Sequence, residues 1–163
     1  MDTLKHHLKN AHNNWVYSMI NYNNNRIISC SFDDTIKVWN INQMVEEYCI
    51  TIKDNYTMCM ALISSNSLIA GLNNGNMNEY DLVNKILIRT IITGHTDCIW
   101  KLCILSEGLL LTGSSDSSAK IIDIKGETCL KTFKQNDIIL SVVVLRDSRI
   151  IIGGQEKKLT FII

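Results

Sequence analysis

Proline is absent from this chain, and no two cysteines are spaced as C-x-x-C. The first absence means that every turn must be made by residues other than proline. Asparagine is used heavily instead; it tolerates positive φ and forms local turn hydrogen bonds. The second absence removes the usual zinc-knuckle and dithiol redox patterns. Long apolar runs are also missing. Stretches such as 138–145 are under half the length of a membrane-spanning helix, so no membrane insertion is expected. Neither sign of charge is in excess, with 16 basic and 16 acidic residues. A basic surface for nucleic acid or anionic lipid is therefore not expected. The opening MDTLKHHLKN carries no apolar segment of the secretory kind. A cytoplasmic or nuclear chain follows, with its six cysteines reduced and in the core. The Asn55-Tyr56-Thr57 sequon is accordingly read as chance.

What the sequence does contain is a unit that recurs. From His12 to Asn40 it reads HNNWVYSMINYNNNRIISCSFDDTIKVWN. Alternating large residues (Trp15, Tyr17, Met19) lead to a polar turn over 21–25. An isoleucine-rich run over 26–31 follows, then a tight turn at Phe32-Asp33-Asp34 and a third run over 35–39. Three short strands with two turns make an antiparallel meander. Positions matching Asp33 are Asn74, Asp116 and Glu156, at intervals of 41, 42 and 40 residues. That interval is near the 40–45 residue period of a propeller blade. The strings ISCSFDDTIKVWN (28–40), IAGLNNGNMNEYD (69–81), LTGSSDSSAKIID (111–123) and IIGGQEKKLTFII (151–163) align, with Trp39 matched by Tyr80, Ile122 and Ile162.

The spacing of His12, Ser29 and Ser31, Asp33 and Trp39 resembles the WD-repeat family, and Gly94-His95 strengthens the likeness. In the first unit the closing dipeptide is Trp39-Asn40 in place of Trp-Asp. The resemblance implies an all-β β-propeller of four blades, each of four antiparallel strands, in one domain over 1–163. The repeats run about 12–52, 53–92, 93–133 and 134–163. The last has three strands of its own, and an N-terminal strand over 3–9 is expected to complete it. Whether the four blades form an incomplete ring, a tightly closed one, or half of a homodimer completing a larger ring stays open at this point.

Ser29, His12 and Asp33 together could suggest nucleophilic catalysis. The resemblance assigns them instead to a structural network that ties strands together. His12, Ser29, Ser31, Asp33 and Trp39 form it in the first unit; His95, Thr112, Ser114 and Asp116 form it in the third. Ile122 cannot supply the indole there. The second and fourth units have Lys53 and Gln135/Asn136 where the histidine would be, so these two blades are expected to be softer. No strained G-x-S-x-G elbow or phosphate-cradling loop occurs, and no metal or cofactor site is expected, His6-His7 and Lys157-Lys158 included. Gly153-Gly154 is read as a site of tight blade packing.

Recognition residues are expected on loops at one rim. The candidates are Asn13, Asn14 and Phe32; Asn55, Tyr56 and Asn73; Thr96, Asp97 and Ser115; and Asp137, Gln155 and Glu156. Phe32 stands out as an aromatic in a two-strand turn. The function that the resemblance implies is a non-catalytic scaffold or adaptor that binds a protein or peptide partner on this rim. The alternatives are a fragment or half of a larger propeller, or a propeller enzyme with a central-channel site. The last would need titratable residues on innermost strands that read as mostly apolar.

Overall fold

Four antiparallel meanders follow one another along the chain. The computed structural model describes Leu8 and residues 10–53 and 55–162. The first sheet is β1 (Val16–Asn23), β2 (Arg26–Ser31), β3 (Thr35–Asn40) and β4 (Val45–Thr51). The second is β5 (Thr57–Leu62), β6 (Ser67–Leu72), β7 (Met77–Asp81) and β8 (Ile86–Ile91). The third is β9 (Ile99–Ser106), β10 (Leu109–Ser114), β11 (Ser118–Asp123) and β12 (Thr128–Lys134). The fourth has three strands: β13 (Ile139–Val144), β14 (Ile150–Gly154) and β15 (Leu159–Ile162). Strand order within each sheet is sequence order, as expected for a propeller blade. The expected N-terminal strand lies outside the described residues apart from Leu8, so its place beside β15 is a proposal only. The turn expected over 21–25 is tighter than the sequence indicates. β1 continues through Asn23, which pairs with Arg26, and leaves a two-residue connection.

Burial follows from the layering. The second strand of each sheet has sheets or neighbouring strands on all sides, and its residues are close to fully buried in the first three sheets. Outer strands such as β4, β8 and β12 are exposed along most of their length. This layering corrects the cysteine expectation. Only Cys30 and Cys59 are buried core residues; Cys49 and Cys129 ride on the outer strands β4 and β12 and are exposed, and all six are free. Burial, with a smaller push from the Asp33 charge, raises the Cys30 thiol to about 12.

Three cores fill the seams between consecutive sheets. Ile28, Cys30, Ile36 and Val38 of the first sheet pack on Met60, Leu68, Ala70 and Tyr80 of the second. Ile69, Met77 and Ile91 of the second meet Leu102, Leu110 and Ile122 of the third. Leu111 and Ala119 of the third meet Val142, Ile150 and Ile152 of the fourth. Each buried Ile, Leu, Val or Met side chain contributes roughly 1.5–3 kcal/mol on burial. A sheet of this size covers its apolar faces only by stacking on its neighbours. The innermost strands run in contact from β1 to β5, β5 to β9 and β9 to β13. No seam of that kind joins the first and fourth sheets among the described residues, so the four blades form an open arc about one axis.

Two turn positions repeat with the sheets. Asp34, Gly75, Ser117 and Lys157 all hold left-handed backbone in the turn between second and third strands. Met44, Lys85 and Glu127 do so between third and fourth. Only Gly75 is a glycine among these seven, and it has a specific reason. A Cβ there would come within 2.5 Å of the His95 carbonyl oxygen. Asn40, Asp81 and Asp123 each accept backbone N–H bonds from the residues two and three positions further on. Side-chain oxygens at these positions take over the turn-fixing that proline would otherwise supply.

Candidate functional site: the rim above the innermost strands

In the first sheet a continuous relay runs from an indole to a carboxylate. Trp39 Nε1–H donates to Ser29 Oγ at 2.7 Å, and Ser29 Oγ lies 2.7 Å from His12 Nε2. His12 Nδ1 lies 3.0 Å from Asp33 Oδ2. Because the serine oxygen already accepts from the indole, its own proton goes to Nε2, and Nδ1 carries the hydrogen that meets Asp33. Burial works to raise the Asp33 carboxyl. Hydrogen bonds from the Thr35 hydroxyl, the Asn13 N–H and His12 overcome it and hold the group at about 2. Ser31 plays a different part: its hydroxyl donates to the Asn14 carbonyl and accepts from the Asp33 N–H.

The third sheet repeats the set with one member missing. His95 Nδ1 is 2.8 Å from Asp116 Oδ2, and Nε2 is 2.7 Å from Thr112 Oγ1. Ser114 donates to the Asp97 carbonyl and accepts from the Asp116 N–H. Burial depresses the His95 pKa against the opposing pull of Asp116, so the imidazole is favoured neutral. Ile122 stands where Trp39 does and offers no donor. Thr35 and Ser118 belong to these clusters and were not singled out from the sequence, although each lies two residues after its aspartate. Every polar atom is committed to a neighbour, and the Ser29 and Thr112 hydroxyls that face the imidazoles are buried at 3% and 0% exposure, closed off from any substrate. The arrangement is a strand tie.

The loops that carry these anchors share one end of the molecule. The N–H groups of Phe32, Asn73, Ser115 and Gln155 bond to the carbonyls of Trp15, Tyr56, Cys98 and Ile138. One backbone bond therefore joins the entry loop to the second turn in every sheet. Several expected rim residues are occupied in holding the loops. Asn14, Asp97 and Asp137 each accept the next residue's N–H, Asn73 accepts from Tyr56 N–H, and Ser115 accepts from the Trp100 indole. The Asn13 and Thr96 N–H groups reach the network aspartates. Glu156 sits 3.6 Å from Lys158. Asn55 and Gln155 make no side-chain hydrogen bond among the described residues.

Aromatic side chains dominate what is left. Phe32 reaches across to the second sheet as well as its own; its ring lies 4.2 Å from that of Tyr56, on the entry loop of the second sheet. Tyr17 stacks near Tyr56 at 6.4 Å and meets Phe32 at 6.0 Å. Trp100 of the third sheet comes within 6.3 Å of Tyr17, and exposed Trp15 lies 6.3 Å from Phe32. Five rings from three sheets thus form one patch. Sequence reasoning picked out Phe32 and Tyr56 but missed Trp15, Tyr17 and Trp100 as site residues. The signal was present in the ladder. β1 and β9 each skip one residue at the start of their pairing, at Tyr17 and Trp100, and β5 and β13 do so at Met58 and Leu140. A bulge re-aims the extra side chain away from the sheet face. Tyr56 is pushed up chiefly by burial, with the negative charges of Asp97 and Asp34 adding to the effect. Both carboxylates are exposed and near enough to Tyr56 to act on it through charge.

Among the described residues no group of three or more His, Cys, Asp or Glu is placed to hold a metal ion. No described helix is long and apolar enough to cross a membrane.

Comparison with known proteins agrees with this geometry. The family model for the WD domain, G-beta repeat, matches residues 2–40 and 86–123. The chain is 31% identical over 118 residues to U3 small nucleolar RNA-associated protein 12 of Saccharomyces cerevisiae, covering 71% of this chain. It is 27% identical over 149 residues to the ribosome biogenesis protein YTM1 of Debaryomyces hansenii, covering 80% of this chain. It spans only 12% and 31% of those two relatives. The crystal structure of the WD40 β-propeller domain of Doa1 superposes with a TM-score of 0.85 at 21% identity, covering 93% of this chain and 51% of that one. With WD repeats matched in two regions and a propeller arc built from four blades, the chain belongs to the WD-repeat β-propellers.

Proposed function

We propose that this chain is a non-catalytic interaction scaffold that binds a protein or peptide partner on the rim carrying Trp15, Tyr17, Phe32, Tyr56 and Trp100. The observation that supports this reading is the five-ring patch, drawn from three separate sheets onto one surface. Large rigid rings give contact area at small entropic cost, and rings of this kind recur as binding hot spots. Asp34 and Asp97 beside the rings favour a partner segment with a lysine or arginine anchor, because aromatic faces and carboxylates both attract a cation. The names of the matched relatives, one RNA-associated and one in ribosome biogenesis, are consistent with proteins that work in assemblies. A cytoplasmic or nuclear setting goes with this role. The structural ties at His12, Asp33, His95 and Asp116 hold the loops still, so little ordering remains for the moment of binding. Self-association would use a different surface, the two end faces of the arc.

The test is titration of the full chain with a fluorescent peptide library varied at one anchor position, read by anisotropy and by tryptophan emission. Lysine or arginine anchors should bind at least tenfold tighter than glutamate ones. Phe32→Ala with Tyr56→Ala should abolish binding and leave the melting temperature within a few degrees. Equal binding by wild type and the double variant would refute the assignment of the rim.

A further inference from the structure

The end faces of the arc differ from the same faces inside it. Met60, Leu102 and Val142 occupy one register position on the side facing the preceding sheet, and they are 5%, 5% and 2% exposed. Met19 holds that position in the first sheet and is 66% exposed. Val16 is open as well, where Thr57, Ile99 and Ile139 are buried. The opposite side tells the same story at the other end. Ile36, Met77 and Ala119 face the following sheet and are fully buried, while Leu159 at that position is 66% exposed. Phe161 is exposed where Val38 is buried.

The glycines show how the seams lock. A Cβ on Gly71 would stand 3.1 Å from Ile99 Cγ2 of the next sheet. One on Gly113 would stand 2.7 Å from Ile139 Cγ2 and 2.9 Å from Val142 Cγ1. These glycines are notches that receive the first residues of the next innermost strand. Gly153 is the same notch in the fourth sheet, and a Cβ there would meet only Leu159 of its own sheet. The matching knobs, by register, are Val16 and Met19 at the other end of the chain.

We infer that two copies of this chain close on each other, the fourth sheet of each packing on the first sheet of the other. Val16 and Met19 of one copy seat over Gly153 and against Leu159 and Phe161 of the other. The occupant is a second copy for two reasons. The seam is one the chain already makes three times, so both surfaces have the right shape without rearrangement. The chain also overlays 51% of the Doa1 propeller at a TM-score of 0.85, so its curvature is that of about half a ring. A two-fold pairing of such halves makes two identical seams and leaves no open end. The aromatic rim lies on another surface and stays displayed.

The experiment uses the full chain with Cys49 and Cys129 replaced by serine, plus Val16→Cys and Gly153→Cys. In the internal seams the corresponding Cβ separations are 3.2 Å (Gly71 to Ile99) and 3.7 Å (Gly113 to Ile139), close to the spacing a disulfide needs. Mild oxidation should give a covalent dimer whose digest contains a peptide linked through 16 and 153. Neither single-cysteine variant should do so, and sedimentation velocity should show one dimeric species. A monomer, a 16–153 bond within one monomer, or an open series of larger species would overturn the proposal. As a second arm, Met19→Glu or Leu159→Glu should shift the dimer to monomer at least tenfold in dissociation constant. Each should keep a cooperative melt and leave the peptide titration of the rim unchanged. Retention of a wild-type dimer by both variants would equally overturn it.

Discussion

The first and second sheets are held together by different means. The first depends on a polar relay from Trp39 through Ser29 and His12 to Asp33. The second has Ala70 in place of Ser29, Leu72 in place of Ser31, Asn74 in place of Asp33 and Tyr80 in place of Trp39. Its Asn74 side chain caps only its own turn, through the Asn76 N–H. Yet the second sheet is flanked on both faces, and Leu68, Ile69, Ala70, Leu72 and Met77 are all but inaccessible to solvent. Apolar burial there supplies what hydrogen bonds supply in the first sheet. Softness is therefore expected to concentrate in the fourth sheet, which has neither the relay nor a neighbour beyond it among the described residues.

The comparison can be broken most forcefully in the second sheet. Leu68→Ala should cost roughly 2–5 kcal/mol, the range for a fully buried leucine, with no dependence on pH. Chemical denaturation at pH 7 and pH 5 checks both statements. Next in size, Asp33→Ala should cost about 1–3 kcal/mol, because the donors of His12, Thr35 and Asn13 lose their acceptor. Asn74→Ala should cost well under half as much, and equal melting shifts for the pair would remove the distinction between the sheets.

Acid should reproduce the Asp33 effect without a mutation. The Asp33 carboxyl sits at about 2 in the fold against an ordinary 3.8. Its contribution is complete above the unfolded value and is lost as pH falls from about 4 towards 2, about 2 kcal/mol in all. Asp33→Asn should flatten that part of a pH–stability curve. The smallest effect belongs to the third sheet. His95 is depressed below 6.5, so the unfolded chain takes up a proton that the fold resists. Stability should decline as pH drops beneath about 6.5, and His95→Gln should remove that slope.

The architecture was legible because its punctuation repeats. Asp33, Asn74, Asp116 and Glu156 each open the turn between the second and third strands, at intervals that no single strand could conceal. The His–Asp–hydroxyl clusters were legible as well, since each draws on residues within one unit. Thr35 and Ser118 escaped because a hydroxyl two residues past an aspartate looks like ordinary turn composition. The aromatic patch was only half visible. Tyr17, Tyr56 and Trp100 come from three different units, and Tyr56 lies on an entry loop while the other two sit at the strand irregularity, so only stacking of the sheets brings them together. The open arc was one of several readings the sequence allowed. Which faces lack neighbours depends on curvature, and curvature leaves no mark on composition.

The irregularity at the head of each innermost strand has a consequence for how the surface can change. Tyr17, Met58, Trp100 and Leu140 stand outside the ladder pairing, so their identity is uncoupled from the hydrogen bonds that hold each sheet. Met58 is held in the core, but Tyr17, Trp100 and Leu140 reach the surface, so the chain carries three dials that can be turned singly. Surface chemistry can drift by changing one of them while the rest of the molecule keeps folding as before.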